Sequence, residues 1–259
     1  MLISDNVPLT KQDLHSHSTF CDGADTPEEM VLSAIEKGLA RFGLCAHSYL
    51  PTGEDWYMKR EDYPVFKAEM ARLKDKYRDR IELLCGIEQE YRSKESTSGF
   101  DYVIGSVHFF DVDGEYPYVD MSPELFMDAC ERHFGGDVYA MAENYYRTVA
   151  DVVNRTHCDI IGHFDLITKY NEIMPMIDIE HPRYVAAYRN AVDALIAYNV
   201  PFEINTGAMS RGYRTSPYPA KPIADYIKSK GGKFVLSSDS HSADAIALQF
   251  DKWAKYYGV

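Results

Sequence analysis

The stretch "TPEEMVLSAIEKGLARFGLCAH" (residues 26–47) contains one helix with both ends marked and one strand that finishes in histidine. Thr26 is the N-cap, Pro27 the first helical residue and Glu29 the third, so Thr26 and Glu29 form a capping box. Gly38 ends the helix. "RFGLCAH" (41–47) then runs apolar almost without interruption, which requires burial on both faces, the property of a strand inside a parallel sheet.

The same alternation extends in both directions. Strand candidates are "QDLHSH" (12–17), "RFGLCAH" (41–47), "IELLCGIE" (81–88), "DYVIGSVH" (101–108), "DIIGH" (159–163), "VPFEINT" (200–206) and "KFVLSSD" (233–239), seven in all. Helical patterns lie between most of them. Ser122-Pro123 opens one, and residues 63–79, 137–155, 180–198 and 219–230 carry apolar residues three and four apart. Strands alternating with helices specify an α/β fold with a parallel sheet. No low-complexity tract, Gly/Ser linker or internal repeat divides the chain, so residues 1–259 are read as a single domain. The longest irregular region, "SYLPTGEDWYMKRED" (48–62), is either a lid or rim loop or plain surface decoration.

Composition narrows the function classes. At 259 residues and 46% hydrophobic the chain can bury a large core. A formal charge of −13 repels polyanions, so extended nucleic acid is not an expected partner, and a phosphate-bearing ligand needs positive charge supplied locally. Bound divalent cations supply such charge. The five cysteines, Cys21, Cys45, Cys85, Cys130 and Cys158, are scattered and form no C-x-x-C pair, which argues against a disulfide framework and a zinc knuckle and fits a reducing cytoplasm. "MLISDNVPLTKQ" (1–12) lacks an export signal pattern, and no apolar run is long enough to span a bilayer, so neither a membrane nor export is expected.

The histidines mark the site. Of nine, six (His15, His17, His47, His108, His163 and His241) fall at or just past the C-terminal end of a strand candidate, where Glu88 and Asp239 also lie. In parallel α/β barrels that rim is where functional side chains converge. His15 and His17, two apart in extended chain, share a face. Gathering so many imidazoles and carboxylates without metal would leave repelling charges and unpaired polar atoms near a buried floor. Mixed imidazole and carboxylate donors suit Zn, Mn or Fe, and eight or nine donors suffice for two or three divalent transition metal ions. Asp22, held in a tight turn by Gly23, is the ninth donor, with Asp25 as its alternative; Glu90 competes with Glu88. His133, His157 and His181 read as surface or capping residues, and Cys45 as a small buried thiol.

The ordered set "HSH", "CDG", "CAH", "GIE", "GSVH", "GHFD" and "SSDSH", spanning residues 15 to 241, resembles the polymerase and histidinol phosphatase (PHP) superfamily. The resemblance implies a distorted (β/α)7 barrel, TIM-like, with a trinuclear metal site on its C-terminal rim. It implies one metal on His15, His17, Glu88 and Asp239, a second on Glu88 as bridge with His108 and His163, and a third on Asp22, His47 and His241. Asp165 is then expected to orient a ligating imidazole. "GSVHFFD", "GHFDLITKYN" and "FEINTGAMSRGYR" are similar to the stand-alone histidinol-phosphatase branch, which hydrolyses L-histidinol phosphate in histidine biosynthesis.

The expected activity is a metal-dependent phosphomonoesterase acting on a small phosphate ester. Glu88, Asp239 and His241 form its catalytic centre, and Arg211, Arg214 or Lys169 complement the phosphoryl charge. The alternatives are another small phosphate ester or nucleotide as substrate, or a non-catalytic metal-binding relative. Serine-hydrolase chemistry is disfavoured because no G-x-S-x-G elbow occurs.

Overall fold

A computed structural model describes residues 6–52 and 54–259; residues 1–5, part of the stretch read for an export signal, and Gly53, in the long loop, lie outside the described residues. In chain order the elements are β1 (Gln12–Asp13), α1 (Pro27–Glu36), β2 (Arg41–His47), α2 (Tyr63–Tyr77), β3 (Glu82–Glu90), β4 (Tyr102–Ser106), α3 (Pro123–Phe134), α4 (Val138–Ala150), α5 (Val152–Thr156), β5 (Ile160–Ile161), α6 (Pro182–Ile196), β6 (Phe202–Asn205), α7 (Gly207–Ser210), α8 (Lys221–Ser229), β7 (Phe234–Ser237) and α9 (Phe250–Tyr257). The seven strands pair in parallel and in chain order. A parallel bridge between Ser16 and Ser240, with His17 N donating to Ser240 O at 2.8 Å, draws the first strand's extension against the last and nearly closes the barrel.

The local signals act as expected. Thr26 Oγ1 accepts from Glu29 N at 3.3 Å and Glu29 Oε2 from Thr26 N at 2.8 Å, the two halves of the capping box on α1. All seven residues of β2 are buried. Helices pack the outer face of the sheet through one continuous apolar layer, while Leu14, Cys45, Tyr102, Ile104, Ile160 and Val235 plug the barrel interior. Tyr102 lies across that interior and donates to Leu14 O at 2.5 Å. Its ring occupies the space a side chain would need at Gly43 or Gly86, since a Cβ at either would come within 2.2 Å of it. This dry plug is the floor beneath the C-terminal rim.

Several boundaries differ from the sequence reading. The strand candidates at 12–17, 101–108, 159–163, 200–206 and 233–239 are continuous strand only over their first or middle residues, and past these the rim keeps isolated backbone bonds such as Thr206 N to Ser237 O at 2.9 Å. β3 runs on to Glu90, so Glu88 is not the last strand residue; it pairs in register with His47 of β2. The helix expected over 137–155 breaks at Asp151, whose side chain accepts from Tyr91 Oη at 2.9 Å and from Asn154 Nδ2 at 3.0 Å. β3 and β4 are joined without a helix, and α9 was not foreseen. Among the described residues no helix is long and apolar enough to cross a membrane.

Candidate metal centre

Six strand ends and one loop bring nine donors to one mouth. His15 and His17 follow β1, His47 ends β2, Glu88 sits two residues before the end of β3, His108 and His163 follow β4 and β5, and Asp239 and His241 follow β7, with Asp22 supplied by the loop before α1. That loop is pinned by Cys21 N and Gly23 N, which both donate to Ser18 O at 2.9 and 3.1 Å. A Cβ on residue 23 would lie 2.5 Å from Ser18 Cα, so the turn carrying Asp22 needs glycine there.

Glu88 is the hub. Its Oε2 lies 2.7 Å from His47 Nδ1, 3.4 Å from His15 Nε2 and 3.5 Å from His17 Nε2; its Oε1 lies 3.0 Å from His163 Nε2 and 3.6 Å from His108 Nε2. Asp239 Oδ1 is 3.3 Å from His17 Nε2, 3.6 Å from His15 Nε2 and 3.7 Å from His241 Nδ1. Asp22 spans His47 Nε2 at 3.4 Å and His241 Nε2 at 3.2 Å. The rings of His17 and His47 stack with centroids 4.2 Å apart, and His241 lies 4.3 Å from His17. Asp239 holds a φ of 47°, a left-handed backbone that an aspartate tolerates and that turns its carboxylate into the cluster.

The electrostatics of the cluster follow from burial and from its own carboxylates and imidazoles. Burial would push Glu88 up, but the His47 and His15 imidazoles hold it well below the carboxylate range; burial likewise opposes the fall of Asp239, which His15 and Arg211 enforce. Burial, aided by the charges of His47 and His241, pushes His17 down to about 3. Burial alone would lower His15 and His47, yet the carboxylates of Glu203 and Glu88 raise the first and those of Glu88 and Asp22 raise the second well above the ordinary range. His15 Nε2 and His17 Nε2 are buried without a well-aligned hydrogen bond, and Glu88 Oε2 has only the off-axis His47 Nδ1 contact at 2.7 Å. Natural interiors seldom tolerate such orphans, and here they aim at one another across gaps of 3.4 to 3.5 Å. Mixed imidazole and carboxylate donors in this arrangement fit divalent transition metal ions. Two groups of donor atoms, His17 with Asp22, His47 and His241, and His47 with Glu88 and His108, each lie within 4.8 Å of one another. A third such group includes Cys45, but burial pushes its thiol well above the ordinary range, and Sγ lies 3.6 Å from Ser16 O, so it remains a protonated part of the plug.

Outer carboxylates set the imidazoles. Glu203 Oε1 accepts from His15 Nδ1 at 2.7 Å and its Oε2 from His163 N at 2.9 Å and Asn205 Nδ2 at 3.1 Å. Glu90, weighed above as a competitor for the metal, instead accepts from both His108 N (3.0 Å) and His108 Nδ1 (2.8 Å). Directing a ring N–H to a carboxylate leaves the other nitrogen free to ligate. Glu203 escaped the sequence reading, although an acidic residue inside a buried strand, "FEIN" (202–205), was a usable signal. Asp165 does not orient an imidazole. It lies wholly buried, accepts from Ala220 N at 3.0 Å and stands 3.9 Å from Arg214 Nη1.

Six of the donors, Asp22, His47, His108, His163, Asp239 and His241, line a cavity of about 280 Å³, with His15, His17 and Glu88 buried beneath them. Of the three cations expected at phosphate, Arg211 and Lys169 line it. Arg211 Nη2 is 3.5 Å from Asp239 Oδ2. Arg214 does not reach the cavity: it donates to Thr168 Oγ1 and to the carbonyls of Ser216 and Pro217, with its guanidinium 4.4 Å from the Tyr218 ring centroid, and so braces the loop before α8. Lys169 Nζ donates to Asp120 Oδ2 at 2.8 Å; burial would push Asp120 up, but the Lys169 ammonium holds it at about 2. From the long loop Trp56 forms part of the wall, edge-on to His47 (4.9 Å) and His108 (5.7 Å), and packs against Leu50, Tyr57 and Phe109. The remaining histidines are peripheral as expected: His181 caps α6 and stacks on Tyr139, His157 closes α5 in a left-handed conformation, and His133 lies 3.7 Å from Glu115.

Comparison with known proteins bears on the family and the fold. The PHP domain matches residues 13–207. A Schizosaccharomyces pombe protein named "Probable histidinol-phosphatase" is 30% identical over 258 residues, covering 91% of this chain and 82% of its own length. A Deinococcus radiodurans protein of the same name is 28% identical over 251 residues, covering 92% of this chain and 89% of its own. In fold, a Lactococcus lactis histidinol phosphate phosphatase structure, complexed with zinc, L-histidinol and phosphate, superposes with a TM-score of 0.73 at 22% identity, covering 96% of this chain and 94% of that one. A Listeria monocytogenes structure reaches 0.80 at 21% identity, covering 94% and 100%.

Proposed function

The chain belongs to the PHP domain family, and on that premise we propose that it is a metal-dependent phosphomonoesterase that hydrolyses L-histidinol phosphate to L-histidinol and phosphate. The observation that carries this reading is the convergence of five imidazoles on the single carboxylate of Glu88, at the head of a cavity that also presents Arg211 and Lys169. The substrate follows from the relatives named histidinol-phosphatase.

We assign His15, His17, Glu88 and Asp239 to one ion, Glu88, His108 and His163 to a second, and Asp22, His47 and His241 to a third, the ions being of the Zn, Mn or Fe type. Such cations, when bound, act as Lewis acids that lower the pKa of water and neutralise phosphoryl charge. Glu88 can serve two of these groups because its oxygens face different histidines: Oε2 faces His15, His17 and His47, and Oε1 faces His108 and His163. Arg211 offers charged donors to the phosphoryl oxygens, where charge accumulates as the ester bond breaks, and Lys169, held on Asp120 at 2.8 Å, adds positive charge to the cavity. Glu203 and Glu90 keep the Nδ1 protons of His15 and His108 in place. Trp56 and the cavity's tyrosines shield the reacting ester from bulk water.

Purified protein reloaded with zinc or manganese should release phosphate from histidinol phosphate, and Glu88→Gln should abolish release while the protein stays folded. Brisk turnover of another monoester, with none of histidinol phosphate, would defeat the substrate assignment. Activity that survives Glu88→Gln would defeat the assigned centre.

A further inference from the structure

We propose that Asp120 selects substrates whose leaving group carries a positive charge, by presenting a free carboxylate oxygen to that charge inside the cavity. This deepens the phosphatase reading and rests on it, since histidinol bears an ammonium beside its alcohol.

Asp120 lines the cavity, and its side chain is 20% exposed. Only Oδ2 is engaged, by Lys169 Nζ at 2.8 Å, while the backbone carbonyl takes Lys169 Nζ at 3.0 Å and the Tyr170 hydroxyl at 2.6 Å. Oδ1 has no partner among the described residues. An ionised carboxylate accepts up to four hydrogen bonds, so half of this one remains open to an incoming donor. Among the described residues Asp120 makes no hydrogen bond or ion pair with the nine metal donors; His108 and His163 reach it only through longer-range charge, which leaves Oδ1 sterically open to a ligand.

The surroundings match a cation with an apolar body. Trp56, Tyr118, Tyr170 and Tyr213 share the cavity wall with Met121 and Leu166. Aromatic faces attract cations, as they already do for Lys169, whose Nζ is 5.4 Å from the Tyr170 ring centroid and 5.2 Å from that of Tyr213. A phosphoryl group would be repelled by Asp120 and is drawn instead toward Arg211 beside Asp239. The cavity therefore reads its ligand from two chemically opposite groups, an anion at the metal donors and a cation at Asp120. A site that offers an open carboxylate oxygen to a cation disfavours an analogue lacking that cation, because covering the cavity then leaves Oδ1 without a donor.

The test uses two esters that differ by one amino group, histidinol phosphate and 3-(imidazol-4-yl)propyl phosphate, on zinc-loaded wild-type and Asp120→Asn protein. Wild type should prefer the amino ester by roughly 100-fold in kcat/KM, carried mainly by KM. In Asp120→Asn the ratio between the two esters should fall below about threefold. A wild type without preference overturns the inference, and so does a variant that loses activity on both esters while keeping their ratio, since Asp120 then only tethers Lys169. Should the variant not fold, competitive inhibition of wild type by histidinol against its desamino alcohol reads the same ratio. If wild type hydrolyses neither ester but turns over p-nitrophenyl phosphate, the substrate assignment fails; phosphoethanolamine against ethyl phosphate then decides the Asp120 inference by the same preference.

Discussion

Replacing Glu203 by glutamine changes one carboxylate oxygen to an amide nitrogen and keeps the shape of the side chain. If the nitrogen takes the place of Oε2, it meets two donors, His163 N and Asn205 Nδ2, now at 2.9 and 3.1 Å. Leaving both buried donors unsatisfied costs about 1–3 kcal/mol each. The amide therefore turns its nitrogen to the place of Oε1, facing His15 Nδ1, now 2.7 Å from that oxygen. There it donates to the ring, and the His15 proton moves to Nε2, the atom that points at Glu88 and Asp239 from 3.4 and 3.6 Å. A protonated Nε2 cannot ligate. Metal binding must then return the proton to Nδ1 against an amide N–H, at about 1.4–2.8 kcal/mol, so zinc affinity should fall by about 10- to 100-fold. Competition with a chromophoric chelator measures that affinity, and near-UV circular dichroism checks that the variant is folded. Zinc affinity within about threefold of wild type, in a folded variant, would show that Glu203 does not set the His15 ring and would refute the reasoning.

The two arginines of "SRGYR" (210–214) should separate cleanly. Arg211→Ala should keep its melting temperature and lose about 100-fold or more in kcat/KM for phosphate release, whereas Arg214→Ala leaves Asp165 buried without its cation and should lose about 3–5 kcal/mol in denaturant titration. A fully stable Arg214→Ala would contradict the bracing role. Chelation should abolish activity but leave the far-UV spectrum intact, because the apolar layer between sheet and helices contains none of the nine donors. Zinc restored at about a hundred times its dissociation constant should add about 2.7 kcal/mol, roughly 5–10 °C in a thermal melt, and an unchanged melt would count against a metal-holding cluster.

The parallel α/β architecture and the gathering of donors were legible because both are written in short range. A capping box spans Thr26 to Glu29, a buried strand fits within residues 41–47, and His-x-His or Asp-x-His needs only two-residue spacing to share a direction. Strand ends therefore announced the rim on which His15, His47, His163 and Asp239 meet. What lay beyond reach were partnerships between residues far apart in the chain. Glu203 meets His15 across 188 positions, and whether it would face inward depended on the register of β6 and on barrel closure through Ser16 and Ser240. Arg211 and Arg214 sit three residues apart in one loop, yet one reaches the cavity and the other is drawn into Asp165 and Thr168. Propensity and periodicity act within a few residues and so are carried by the sequence alone. The choice of which buried charge answers which is made only when the closed barrel removes water and leaves each polar group the partners within its reach.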